Sequence, residues 1–233
     1  MNPTAEQPFP FWRWLDALIF LGPIGLLFAI PYIIRTTTAP LPKPTLPALI
    51  LEFVIFGLWF LVLGVYFKMR YDAPLFRSLG WRWKWPNLSM TLWLGPAMAV
   101  ILGVGGKLIG APELDPLGSV ITGVLSAIIT GVFAVLIGPA VEELIFRGFL
   151  LPLFVRTFGV ALGILLAALP FVLMHGPQYQ WAWQYLALLL AASAVFGWVR
   201  IRTNSTAASS LVHAGYNMVF YVVYLIQRKD LFS

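Results

Sequence analysis

The stretch Pro139-Ala-Val-Glu142-Glu143-Leu-Ile-Phe-Arg147-Gly148 lies inside a long apolar run over 119–157. Carboxylates are costly to place in hydrocarbon, so two adjacent acids there mark a site before anything else. The surrounding chain has 60% hydrophobic residues, only 10% charged residues and a mean hydropathy of +0.87. An average soluble domain carries roughly 25% charged residues, so the composition is that of a polytopic membrane protein.

Outward from that run, apolar segments close to the roughly 20 residues needed to cross a bilayer occur near 12–34, 47–67, 88–110, 158–177, 183–202 and 207–227. With the long run they predict seven helices, or eight if it breaks, and Gly138-Pro139 is where a kink or break is expected. The runs are continuous rather than alternating, and every backbone group in lipid needs a partner within its own segment, which favours helices over a barrel. The expected fold is all-α, a transmembrane helical bundle of seven to eight spans. It divides into N-terminal spans with a cytoplasmic loop over 1–118, a helical core that carries the acidic pair over 119–227 and a short tail over 228–233.

The net charge of +6 is not read as nucleic-acid binding, because most of it lies at membrane borders. In the 68–86 loop, Lys68, Arg70, Arg77, Arg82 and Lys84 face only Asp72, so the loop is predicted cytoplasmic. Arg156, Arg200 and Arg202 assign the turns near 157 and 203 to the same side, whereas Arg35, Lys43, Arg228 and Lys229 fall opposite in a seven-span arrangement. Trp81-Arg-Trp-Lys-Trp85 reads as an interfacial anchor and Tyr179-Gln-Trp181-Ala-Trp183-Gln-Tyr185 as a second aromatic belt. Ala39-Pro-Leu-Pro-Lys-Pro44 reads as an extended connector, and Gly103, Gly105, Gly106 and Gly110 as contacts for close helix packing. The start, Met1-Asn-Pro-Thr-Ala-Glu-Gln, lacks a basic head and a cleavage site, so the first apolar segment is expected to be kept as a span. The protein is expected to be an integral multi-pass membrane protein, in the plasma (inner) membrane if prokaryotic. With no cysteine, disulfides, thiol catalysis and cysteine-bound metal are excluded.

Only two histidines occur, in Phe171-Val-Leu-Met-His175 and His213-Ala-Gly-Tyr-Asn217. Residues four apart share a helix face, so His213 goes with Asn217, Phe171 with His175, and Glu143 with Arg147. Glu142, about 100 degrees round the helix from Glu143, is left free. Depth gives an independent check. From a shared turn near Phe158-Gly159, Glu142 and His175 each lie roughly 16 residues away, or about 24 Å. His213 and Asn217 rise about 14 Å and about 20 Å from the turn near Thr203-Asn204, so the four groups can converge.

A carboxylate kept from bulk water and an adjacent imidazole can hold and deprotonate a water molecule, here Glu142 with His175. A second imidazole and an amide, His213 and Asn217, suit an oxyanion developing on an attacked carbonyl. The implied reaction is peptide hydrolysis. No cofactor is expected, although Glu142 or Glu143 with His175 and His213 could also make a three-ligand zinc set.

Glu142-Glu143-x-x-x-Arg147, Phe171-x-x-x-His175 and His213-x-x-x-Asn217 together resemble the three motifs of the CPBP (Abi) intramembrane proteases, a family that includes the type II CAAX prenyl endopeptidases. The resemblance spans roughly 119–227, in the right order and with no visible departure from the pattern. It implies a glutamic endopeptidase in which Glu142 and His175 activate water, His213 and Asn217 form the oxyanion site, and Glu143 with Arg147 braces the structure. It implies a peptide or protein substrate, prenylated or tied to bacteriocin maturation, acted on within the lipid bilayer. The sequence specifies neither the substrate nor an oligomeric state. Two other function classes stay open: a proton or cation transporter using the same ionisable groups, and a catalytically silent peptide-binding scaffold or immunity protein.

Overall fold

Proline shapes the helix that carries the acidic pair. Helix α5 (Val124–Phe158) runs for 35 residues and is the longest of five helices, among the described residues, long and apolar enough to cross a membrane. Within it the backbone widens twice into π-helical turns, over Phe133–Ile137 and over Leu144–Leu150. Each widened turn ends two residues before a proline, Pro139 and Pro152. Proline in a helix interior lacks an N–H and presses its ring on the carbonyl one turn back, and a wider turn relieves that crowding without ending the helix. Of the kink or break expected at Gly138-Pro139, a break is therefore absent. The chain passes it as Gly138–Glu143, an ordinary α-helical stretch between the two wide turns.

The computed structural model describes residues 9–22, 25, 45–83 and 88–228. A helix over 14–22 (α1) is followed by α2 (Leu46–Tyr71), the short α3 (Leu75–Ser78) and α4 (Leu88–Leu108). After α5 come α6 (Val160–His175), α7 (Trp183–Thr203) and α8 (Thr206–Gln227). No strand occurs among the described residues, so the all-α expectation holds. The far half of the expected first span, the 39–44 connector, Lys84 with Trp85, and Lys229 lie outside the described residues.

The expected 158–177 span is shorter than foreseen, because α6 has 16 residues, about 24 Å of rise against a hydrocarbon core of roughly 30 Å. It stops at His175 and gives way to turns over 176–181. The terminal residue of α6 is thus a site residue, and the helix ends about 6 Å short of a full crossing. At its other end, α6 is joined to α5 by Gly159 alone, whose φ of 79° lies in the left-handed region that favours glycine.

One end of the bundle is fastened by loops distant in sequence. Thr206 donates its backbone N–H to the Gly80 carbonyl at 2.9 Å, and Ser205 Oγ donates to the Arg82 carbonyl at 2.6 Å. Trp12 Nε1 reaches the Phe149 carbonyl at 3.2 Å, and its ring stacks on Phe149. The basic 68–82 segment and the 203–206 turn therefore share one end, the arrangement their charge predicted. Of the four glycines read for close packing, Gly106 fits, since a Cβ there would stand 3.1 Å from Leu188 Cδ1, but the tightest approach falls elsewhere. A Cβ on Gly95 of α4 would stand 2.1 Å from the Val212 carbonyl oxygen of α8, whereas one on Gly103 or Gly105 would meet only ordinary contacts. Gly95 lets α4 press against the helix that carries His213.

Candidate active site

Three helices deliver the polar groups. Glu142 and Glu143 come from the α-helical stretch between the wide turns of α5, His175 from the last residue of α6, and His213 and Asn217 from consecutive turns of α8. Glu142 Oε1 lies 3.9 Å from His175 Nε2, and Glu142 Oε2 lies 3.7 Å from His213 Nε2. Both gaps exceed a direct hydrogen bond. Glu142 is 22% exposed and His175 16%, so this side of the pair is open to the surroundings.

Glu143 sits in a closed setting, with no exposed surface. Its Oε1 accepts from Arg147 Nη1 at 2.8 Å and from His213 Nδ1 at 3.1 Å, and its Oε2 accepts from Ser209 Oγ at 2.5 Å. Arg147 turns its other terminal nitrogen to Ser193, donating to Oγ at 2.7 Å and to the carbonyl at 2.9 Å. The guanidinium also lies over the rings of Phe171 and Phe196, 4.8 Å and 5.2 Å from their centroids. A buried ion pair needs this saturation, because unpaired charge in an apolar interior is far costlier than a lost contact.

The imidazole orientations follow from their partners. His175 Nδ1 lies 2.9 Å from the Phe171 carbonyl, which can only accept, so Nδ1 carries the proton and the Nε2 of a neutral ring offers a lone pair toward Glu142. Phe171 contributes in two ways, since its ring centroid also stands 4.6 Å from that of His175. The His213 ring stacks on Phe196 at 4.4 Å, with 22° between the planes.

Asn217 is held differently from the other three. Its Nδ2 donates to the Ala134 carbonyl at 2.8 Å. That carbonyl lacks a helical partner for a definite reason: the Gly138 N–H, its ordinary i+4 donor, bonds to the Phe133 carbonyl, and the next residue, Pro139, has no N–H. One amide hydrogen of Asn217 satisfies the orphan, and the second remains for another acceptor.

Ser193, Ser209 and Phe196 escaped the sequence reading, and Tyr179 was read only as part of an aromatic belt. Two of them carried a visible signal, for Ser209 precedes His213 by four residues and Tyr179 follows His175 by four. Burial, with the charges of Tyr185 and Glu142 adding, pushes the Tyr179 hydroxyl up to about 12, so it stays a donor beside the site.

A cavity of about 950 Å³ opens between α2 and α5, lined by Gly57, Phe60, Trp81, Ala140, Val141 and Leu144 among others. It borders the stretch holding the acidic pair, but Glu142, His175 and His213 do not line it. A zinc ion needs ligand atoms at about 2.0–2.3 Å from one point. Among the described residues no group of three or more His, Cys, Asp or Glu side chains could hold a metal ion.

Neither a curated protein nor a solved structure matches the chain. The family model described as Type II CAAX prenyl endopeptidase Rce1-like matches residues 124–219. That range begins with the first residue of α5 and extends two residues past Asn217, so it contains all three motifs. The segment from Val124 to Val219 is thus similar to the type II CAAX prenyl endopeptidases.

Proposed function

We propose that this protein is an intramembrane endopeptidase that hydrolyses peptide bonds with a water activated between Glu142 and His175. The observation that carries the reading is the pair of facing acceptors, Glu142 Oε1 and His175 Nε2, 3.9 Å apart. Two acceptors repel unless a donor joins them. A water lying beside the line between them, about 2.8 Å from each, gives one hydrogen to each and turns a lone pair outward as a nucleophile. Glu142 takes the proton as the water attacks.

The carbonyl oxygen of the scissile bond becomes negative in that step, and the free amide hydrogen of Asn217 is suited to meet it, joined by the His213 ring once its Nε2 carries a proton. Glu143, Arg147 and Phe171 hold the frame. The substrate is a peptide or protein segment reaching the site from the bilayer, with prenylated C-terminal segments the first class to test.

Purified protein incubated with a peptide library, with fragments read by mass spectrometry, tests the reading directly. Cleavage that survives a chelator and falls about 10²–10⁴-fold in a folded Glu142→Gln variant is the expected result. Peptide binding without cleavage in the unaltered protein would favour the silent scaffold, and ion flux lost in Glu142→Gln would favour the transporter.

A further inference from the structure

His213 Nδ1 lies 3.1 Å from Glu143 Oε1, an oxygen that also receives Arg147 at 2.8 Å. A carboxylate paired with guanidinium is ionised and accepts only, so His213 spends its Nδ1 proton on Glu143. The other nitrogen, Nε2, faces Glu142 Oε2 at 3.7 Å. In a neutral ring this nitrogen has a lone pair and nothing to donate. His213 thus cannot stabilise an oxyanion until a proton reaches Nε2, and the nearest proton is the one Glu142 has taken from the water.

We propose that Glu143 is a positioning residue that fixes the His213 tautomer, making His213 the proton carrier from Glu142 to the leaving amide nitrogen. This rests on the hydrolytic reading above. In balance, the water oxygen forms the new C–O bond and its proton passes to Glu142. An approach of about 1 Å closes the gap to His213 Nε2, which takes that proton. The oxyanion then re-forms the C=O bond as the C–N bond breaks, the C–N electron pair stays on nitrogen, and nitrogen receives the proton from the imidazolium. Glu143 stabilises the imidazolium while it exists, as a buried carboxylate behind a general-base histidine does. Phe196, stacked on the ring, and Ser209, bonded to Glu143, limit rotation of the pair.

The test separates a proton carrier from a fixed oxyanion donor. An amide must be protonated as it leaves, whereas an ester of the same peptide with a good leaving group need not be, although both pass through the same oxyanion. His213→Ala should lower kcat on the amide by about 10²–10⁴-fold and on the ester by about tenfold or less, with KM little changed. Glu143→Gln, which retains an acceptor but removes the charge, should follow the same split more weakly. Equal losses on both substrates would overturn the inference while leaving hydrolysis intact, and an unaltered protein that cleaves neither substrate would instead overturn the hydrolytic reading.

The tautomer can be read without turnover. The chain has two histidines, so ¹⁵N-histidine spectra of the whole protein in bicelles hold two rings, assigned with His175→Phe. His213 should carry its proton on Nδ1, and a proton on Nε2 in the resting protein would sink the proposal whatever the kinetics give.

Discussion

Glu142 and Glu143 are neighbours in the chain with opposite surroundings. Glu143 is fully enclosed and bonded to Arg147, His213 and Ser209, while Glu142 is 22% exposed and has two imidazole nitrogens just beyond hydrogen-bond reach. Their side chains project about 100 degrees apart from one helix, so a single turn of α5 serves two tasks. Saturated polar groups fix a geometry, and unsaturated ones are available to a substrate. Exchanging the two surroundings would leave a buried carboxylate without a counter-charge and an accessible one too committed to take a proton.

Substitution should break this contrast from either side. Glu142→Gln removes the chemistry and should leave unfolding in detergent within about 0.5 kcal/mol of the unaltered protein, since no bond within the fold is lost. Glu143→Leu leaves Arg147 buried and unpaired and should cost about 3–5 kcal/mol, read as a large drop in thermal midpoint. Adding Arg147→Met should recover much of that loss, because an apolar pair of similar volume suits the same space. If Glu142→Gln destabilised as much as Glu143→Leu, the division of labour would be wrong. Ser193→Ala, which strips one acceptor from Arg147 but leaves the Ser193 carbonyl, should cost about 1–3 kcal/mol in the same measurement.

Much of this contrast was legible in the sequence. Helical spacing paired Glu143 with Arg147, and counting rise from the Gly159 turn put Glu142 level with His175, which the 3.9 Å approach matches. The depth count worked because the turn is a single residue and α5 runs unbroken from Glu142 to it, the wide turn at Leu144–Leu150 included. What spacing could not supply was the lateral neighbour. Ser193 belongs to α7 and reaches Arg147 across 46 residues, and neither its type nor its flanking alanines distinguish it from packing. The end of α6 at His175 was equally hidden, because the apolar run continues through the preceding residues and only Gly176-Pro177 marks the change. Gly138-Pro139 was read as a kink or break, the usual outcome of a proline inside a helix. Here a lost hydrogen bond can be replaced from a neighbouring helix, and Asn217 replaces it.

That replacement yields the smallest effect, and it sharpens the comparison by asking whether Asn217 is held in place by the same helix that carries the acids. Asn217→Ala leaves the Ala134 carbonyl unpaired and should cost about 0.5–1.5 kcal/mol, the range for an interhelical hydrogen bond within a membrane. Pro139→Ala restores an N–H and removes the ring, so the wide turn at Phe133–Ile137 can tighten and return the Gly138 N–H to Ala134. Once that carbonyl has a partner within α5, the Asn217 amide has nothing to satisfy, and the cost of Asn217→Ala should fall toward zero in the Pro139→Ala background. A double-mutant cycle on thermal unfolding reads the difference as a coupling of about 0.5–1 kcal/mol. Additive costs would mean that the wide turn persists without its proline, and the side chains of α5, rather than Pro139, would then be what sets the position of Asn217.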